Sequence, residues 1–169
     1  MTTDKLVEAF VAKLSSCGLP IQLADNTAQL AQFDESLPKR LPPSFASLLS
    51  RYSFPAFDVL GLSFFGWKPD SNAFVEQLSM PKGSLAELLL PNNYVQIARP
   101  DSGDFDAVCF DLNQKRQNRE YPIVRIDHEE ILCNWRVRVT AELWPSFIRL
   151  MEIAASASDL KLYWERSIE

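Results

Sequence analysis

The sequence predicts an α+β domain, a mostly antiparallel sheet flanked by helices. Three observations predict it. Apolar residues recur at helical spacing near both ends of the chain, as in Leu6, Val7, Phe10, Val11, Leu14 and in Phe147, Leu150, Met151, Ala154. Between them, residues 94–126 carry short apolar runs at strand spacing. The linker between the first two of these runs is a polar turn too short for a crossover helix, so the strands read as antiparallel neighbours.

The elements follow in order. Residues 4–17 form a first amphipathic helix, with Gly18 at the left-handed cap position and Pro20 beyond it. Residues 21–40 read as a polar loop with a helical turn near Ala28 to Phe33. Leu41-Pro42-Pro43-Ser44-Phe45 opens a helix, because proline in a first turn breaks no intrahelical bond. Phe45, Leu48, Leu49 and Tyr52 share its stripe, and Pro55 ends it. Phe57 to Trp67 reads as a strand with a bulge or bend at Gly61. Ser84-x-x-Glu87 has capping-box spacing and opens a short helix through Leu90, which Pro91 stops.

Tyr94–Ala98 and Phe105–Leu112 are two strands joined by the turn Arg99-Pro100-Asp101-Ser102-Gly103-Asp104, a hairpin signal. A polar loop from Asn113 to Glu120 leads to a third strand, Pro122–Ile126, closed by Asp127-His128-Glu129-Glu130. Ile131–Trp135 reads as a further strand or a turn-rich link. The last helix covers residues 141–156 with Pro145 in its first turn, and the tail Leu160–Trp164 packs back on the domain.

Composition narrows the function. The chain of 169 residues is 47% hydrophobic and 23% charged, which supplies a core and excludes a wholly disordered chain. The length fits one domain, residues 1–169. Its 22 acidic against 17 basic residues give a net charge of -5, the wrong sign for a general nucleic-acid binder and a better match to basic partners. No run approaches the length of a membrane helix, and the N-terminus lacks the pattern of a secretory signal. Cys17, Cys109 and Cys133 are odd in number and widely spaced without C-x-x-C, which predicts reduced thiols in the cytoplasm, with Cys109 a small buried hydrophobe.

Several segments, taken in order, resemble a known family. They are Leu41-Pro42-Pro43-Ser44-Phe45-x-x-Leu48-Leu49-x-x-Tyr52, then Ile97-Ala98-x-x-Asp101-Ser102-Gly103-Asp104-Phe105-Asp106-x-Val108-Cys109-Phe110-Asp111-Leu112, then Pro122-Ile123-Val124-x-Ile126-Asp127-His128-Glu129, and Ser146-Phe147. Together they resemble the SUKH superfamily over roughly residues 38–154. That superfamily includes a fungal regulator of cell-wall synthesis and bacterial immunity factors of polymorphic toxin systems. The resemblance implies a binding module without catalytic residues or cofactor. It implies an immunity protein that occludes a cognate toxin, often a nuclease, or alternatively a scaffold in an endogenous pathway such as cell-envelope synthesis.

The residues most able to dock a basic partner are acidic. Asp101, Asp104, Asp106 and Asp111 have no Lys or Arg between them, and Asp127, Glu129 and Glu130 follow at the next strand end. If the strands pair as predicted, Asp101, Asp104, Asp106, Glu129 and Glu130 share one sheet edge, where carboxylates could stand in for the phosphate of a nuclease substrate. The competing reading is solvated turn residues. Arg116 and Arg119, in the basic stretch Lys115–Arg119, form a neighbouring loop that would join the partner surface or simply stay solvated. No metal is expected, because counting from Asp101 the third position is Gly103 and the twelfth Leu112, which breaks the calcium-loop spacing. His128 is the sole histidine; Asp127-His128-Glu129 could form a general acid/base site, but without a nucleophile elbow or a nameable partner for the chemistry it reads as a structural histidine at a strand end. The tryptophans read as core or core-edge packing, with Trp67, in Gly66-Trp67-Lys68-Pro69-Asp70, the one that a turn would alternatively present as an interface anchor.

Overall fold

The computed structural model describes residues 1–68 and 73–165. Helix α1 (Thr3–Ser16) starts where Thr2 Oγ1 accepts from Lys5 N–H, and it buries Leu6, Val7, Phe10, Val11 and Leu14, the predicted stripe. Helix α2 (Thr27–Glu35) is a full helix where a single turn was expected. Phe33 is its one buried residue, so it carries little of the periodicity that announces a helix. Helix α3 (Pro43–Arg51) begins on the predicted proline pair.

Both ends of α3 are closed by distant side chains. The buried Glu120 carboxylate accepts from Ser44 N–H at 3.1 Å and from Ser44 Oγ at 2.8 Å. At the other end Asn26 Nδ2 donates to Leu49 O and Tyr52 O, both at 3.1 Å. Trp67 Nε1 donates to the same Leu49 carbonyl at 2.8 Å. Trp67 is 0% exposed, so the alternative reading that a turn presents it is corrected: its indole N–H supplies a donor to a helix end that lacks one. Pro69 and Asp70 of that expected turn lie outside the described residues.

Two-residue strands β1 (Gln22–Leu23) and β2 (Tyr52–Ser53) pair beside this helix end. The main sheet holds β3 (Phe57–Val59), β4 (Leu62–Phe64), β5 (Tyr94–Pro100), β6 (Ala107–Asp111), β7 (Ile123–Ile126), β8 (Val139–Trp144) and β9 (Leu162–Tyr163). Its order is β8-β7-β6-β5-β4-β3-β9, with every neighbour antiparallel. Six strands follow one another as a meander, and the tail adds β9 outside β3.

The strand expected to bend at Gly61 is two strands. Leu60 and Gly61 have φ of 50° and 80°, the left-handed pair that closes a two-residue hairpin loop. Residues 141–144 belong to β8 rather than to the last helix. Helix α7 (Phe147–Ser156) starts after Pro145, with Ser146 Oγ accepting from Arg149 N–H at 3.2 Å. Ile131–Trp135, read as strand or link, falls instead in helix α6 (His128–Asn134) and its cap.

Helices α1, α3 and α7 cover one face of the sheet. Phe45 meets Phe110 and Phe147 edge to face, each at 5.1 Å between centroids. On the opposite side Leu89 of the short helix α5 (Ala86–Leu89) and Ile131 of α6 pack on Ala107, Cys109, Val124 and Ile126. Cys109 is fully buried, and burial raises its thiol pKa well above the ordinary value. Among the described residues no helix is long and apolar enough to cross a membrane.

The one-turn helix α4 (Ala73–Glu76) and the turn after it fill a gap. Beyond Phe65 N–H, which donates to Ile97 O, β4 leaves β5. Gln77 takes the place of the missing strand: its Nε2 donates to Gln96 O at 3.0 Å and its Oε1 accepts from Gln96 N–H at 3.1 Å.

Candidate functional site

The hairpin turn between β5 and β6 and the start of α6 meet at one end of the sheet. The turn is shaped locally, with Asp104 Oδ1 accepting from Asp106 N–H at 3.0 Å and Gly103 at a φ of 86°. Helix α6 is opened by Asp127, whose Oδ1 accepts from Glu129 N–H at 2.9 Å and Glu130 N–H at 3.3 Å.

Asp106 joins the two pieces. Its Oδ1 accepts from His128 N–H at 3.0 Å and lies 2.7 Å from His128 Nδ1. Its Oδ2 accepts from Arg125 Nε at 2.7 Å, while Arg125 Nη2 reaches Asp104 Oδ2 at 2.9 Å. Burial works to raise the Asp106 pKa, but the His128 side chain and backbone and the Arg125 guanidinium outweigh it and hold the carboxyl below its ordinary value. The hydrogen bond to Asp106 raises the His128 pKa above its ordinary value; desolvation opposes this, and the charges of Asp106, Asp104 and Glu129 add to it. The imidazole is thus held by Asp106 as one member of an ionic cluster with Arg125 and Asp104.

The expected acidic residues do come to one end, but bases join them. Asp104 and Asp106 pair with Arg125. Glu130 pairs with Arg136 at 2.7 Å, and Asp127 lies 3.9 Å from Arg138. Asp106 is buried behind the surface. Among the described residues, Asp101 and Glu129 are the exposed acids of the set with no ion pair. Asp111, also buried, holds the far turn through Asn113 and Gln114.

Arg116 and Arg119 are not neighbours of this end. Strands β6 and β7 pair Ala107 with Ile126 at the acidic end and Phe110 with Ile123 at the other, and the basic loop joins the strands at that other end. Arg116 there pairs with Glu142 at 2.9 Å. Arg119 lines a shallow hollow with Asp34, Arg40, Lys115 and Tyr121.

Asp104, Asp106 and His128 each offer one ligand atom, all within 4.8 Å of one another. A divalent ion there would have to displace Arg125, whose guanidinium already spans both carboxylates. The donor set is committed to that arginine.

Sequence reasoning missed the apolar part of this end. Phe105 is 64% exposed, Leu132 58% and Trp135 53%. The Phe105 ring lies 6.0 Å from the His128 ring, Leu132 follows His128 by one helical turn, and Trp135 caps the helix at a φ of 49°. The signal for α6 was present, since Asp127-x-x-Glu130 has capping-box spacing. Recognising it would have placed Leu132 and Trp135 on one surface. No family model matches the chain and no curated protein sequence matches it, so the SUKH resemblance stands on the quoted residues alone.

Proposed function

We propose that the protein is a non-catalytic protein-binding module that docks a basic partner at the end of the sheet formed by the β5–β6 turn and α6. One observation carries this reading: Phe105, Leu132 and Trp135 are exposed on the β5–β6 turn and α6, the two elements that also carry the unpaired acids Asp101 and Glu129. Large exposed apolar side chains rimmed by charge are the composition of a binding surface. Aromatic anchors would carry most of the affinity, while Asp101 and Glu129 at the rim would steer a basic partner. The resemblance supports the further reading that the partner is a toxin domain and that the protein neutralises it by covering it. The ionic cluster behind the surface holds the turn and α6 in one geometry, which lowers the ordering cost of docking.

The test is affinity capture of the tagged protein at low and moderate salt, with binding then measured on the purified partner. A single stoichiometric partner with a basic domain is expected. Phe105→Ser should abolish capture, and Asp101→Asn with Glu129→Gln should flatten its salt dependence. A set of cell-envelope proteins would favour the scaffold alternative. Undiminished binding after all three substitutions would discard this surface.

A further inference from the structure

Next to this end lies a cleft of about 520 Å³, within the size range of small-molecule sites. Its walls come from α4 and the turn after it, the segment Pro81–Ala86, the start of α6 and the β5–β6 turn. Apolar surface comes from Phe65, Leu85, Phe105 and Leu132.

The polar groups in it converge on one chemistry. Gln96 and Arg99 both line the cleft, although strict alternation over three residues would put them on opposite faces; the register slip between Gln96 and Ala98 brings them to the same side. The Arg99 guanidinium carbon lies 5.9 Å from the Phe105 centroid, and no carboxylate pairs with it among the described residues. His128 also lines the cleft; with Nδ1 given to Asp106, its Nε2 is the ring nitrogen left for a ligand. Glu76 is the acid of the lining.

We infer that this cleft is a binding site for a small organic carboxylate with an aromatic or other apolar body. The carboxylate would take the Arg99 guanidinium, with the cationic form of His128 adding its Nε2–H, and the body would lie against Phe65, Phe105 and Leu132. Guanidinium recognition of a carboxylate is a charge-assisted pairing, and the Phe105 face already orients Arg99. The cleft shares Phe105 and Leu132 with the proposed docking surface, and its ligand is tested on the chain alone.

The probe is 3-phenylpropionate, with 3-phenylpropionamide as its neutral counterpart, titrated into the isotope-labelled full chain and followed by NMR and calorimetry. Saturable binding is expected, with the largest shifts at Gln96, Arg99, Phe105 and His128. The amide should bind about tenfold or more weakly, and Arg99→Met should cost a similar factor. Arg99 is exposed, so that variant should keep the wild-type melting temperature. Equal binding of the amide, an unchanged affinity in Arg99→Met, shifts mapping elsewhere, or no saturation up to about 10 mM would each overturn the site.

Discussion

Asp106 accepts from Arg125 Nε, His128 N–H and His128 Nδ1, so its loss leaves several groups unpaired at once. Asp106→Asn is expected to lower unfolding free energy by about 2 kcal/mol, since hydrogen bonds to charged groups contribute roughly 1.5–3 kcal/mol each and the amide retains part of them. Chemical denaturation checks it. The same cluster sets a pH window. The Asp106 pKa is lowered below 3.8, so its contribution is present above that value and fades as pH falls through the folded pKa. The His128 pKa is raised above 6.5, so its contribution is present below that value and fades as pH rises through the folded pKa. The stability gap between the wild type and His128→Gln should therefore be widest between these limits and shrink on the alkaline side. A gap independent of pH would remove His128 from the ionic cluster. Gln77 is a second residue whose role is local accounting. Gln77→Leu keeps apolar bulk but strands the Gln96 N–H and C=O, at about 1–3 kcal/mol for each group left unpaired.

Gly66 governs how the segment after β4 lies against its neighbours. A Cβ there would meet Ala56 N at 2.8 Å and Pro55 C at 3.1 Å, both backbone atoms that cannot swing away. Gly66→Ala should part this segment from the Phe54–Trp67 bridge and lower the melting temperature, measured by calorimetry with Gly83→Ala as a control in open space. That control still carries strain of about 1 kcal/mol from its positive φ. Elements with one deep apolar stripe were legible from sequence: α1 emerged with all five predicted buried residues and α3 with Phe45, Leu48 and Leu49, while Tyr52, read as the end of that stripe, is buried in β2 instead. Strands β5 and β6 were legible for the complementary reason, short apolar runs around a strong turn. Strand β8 was not. It is an edge strand with Val139–Glu142 exposed, so no alternation marks a buried face, and Ala141-Glu142-Leu143 reads as helix by propensity alone. Pairing with β7 overrides that preference. The candidate site was half legible. The turn and Asp127–Glu130 were predicted to meet, but Arg125, Arg136 and Arg138 approach only through folding, so charge counted along the sequence overstated the acidity of that end.

Across the whole molecule, the basic β6–β7 loop and the exposed residues of the β5–β6 turn and α6, Phe105, Leu132 and Trp135 with Asp101 and Glu129, lie at opposite ends of the sheet. Trp135 carries two costs at once. It holds a left-handed backbone at φ 49° and ψ 48°, a conformation that favours glycine or asparagine at a helix end, and it leaves a large ring in water. A site kept for stability alone would not combine them. Trp135→Gly is therefore expected to stabilise the fold by about 1 kcal/mol, from relief of left-handed strain, while weakening capture of the partner. Melting temperature and partner affinity, measured on the same preparation, should move in opposite directions. If both fall, the indole is a packing residue of α6; if stability rises with affinity unchanged, the docking surface excludes Trp135 and rests on Phe105 and Leu132.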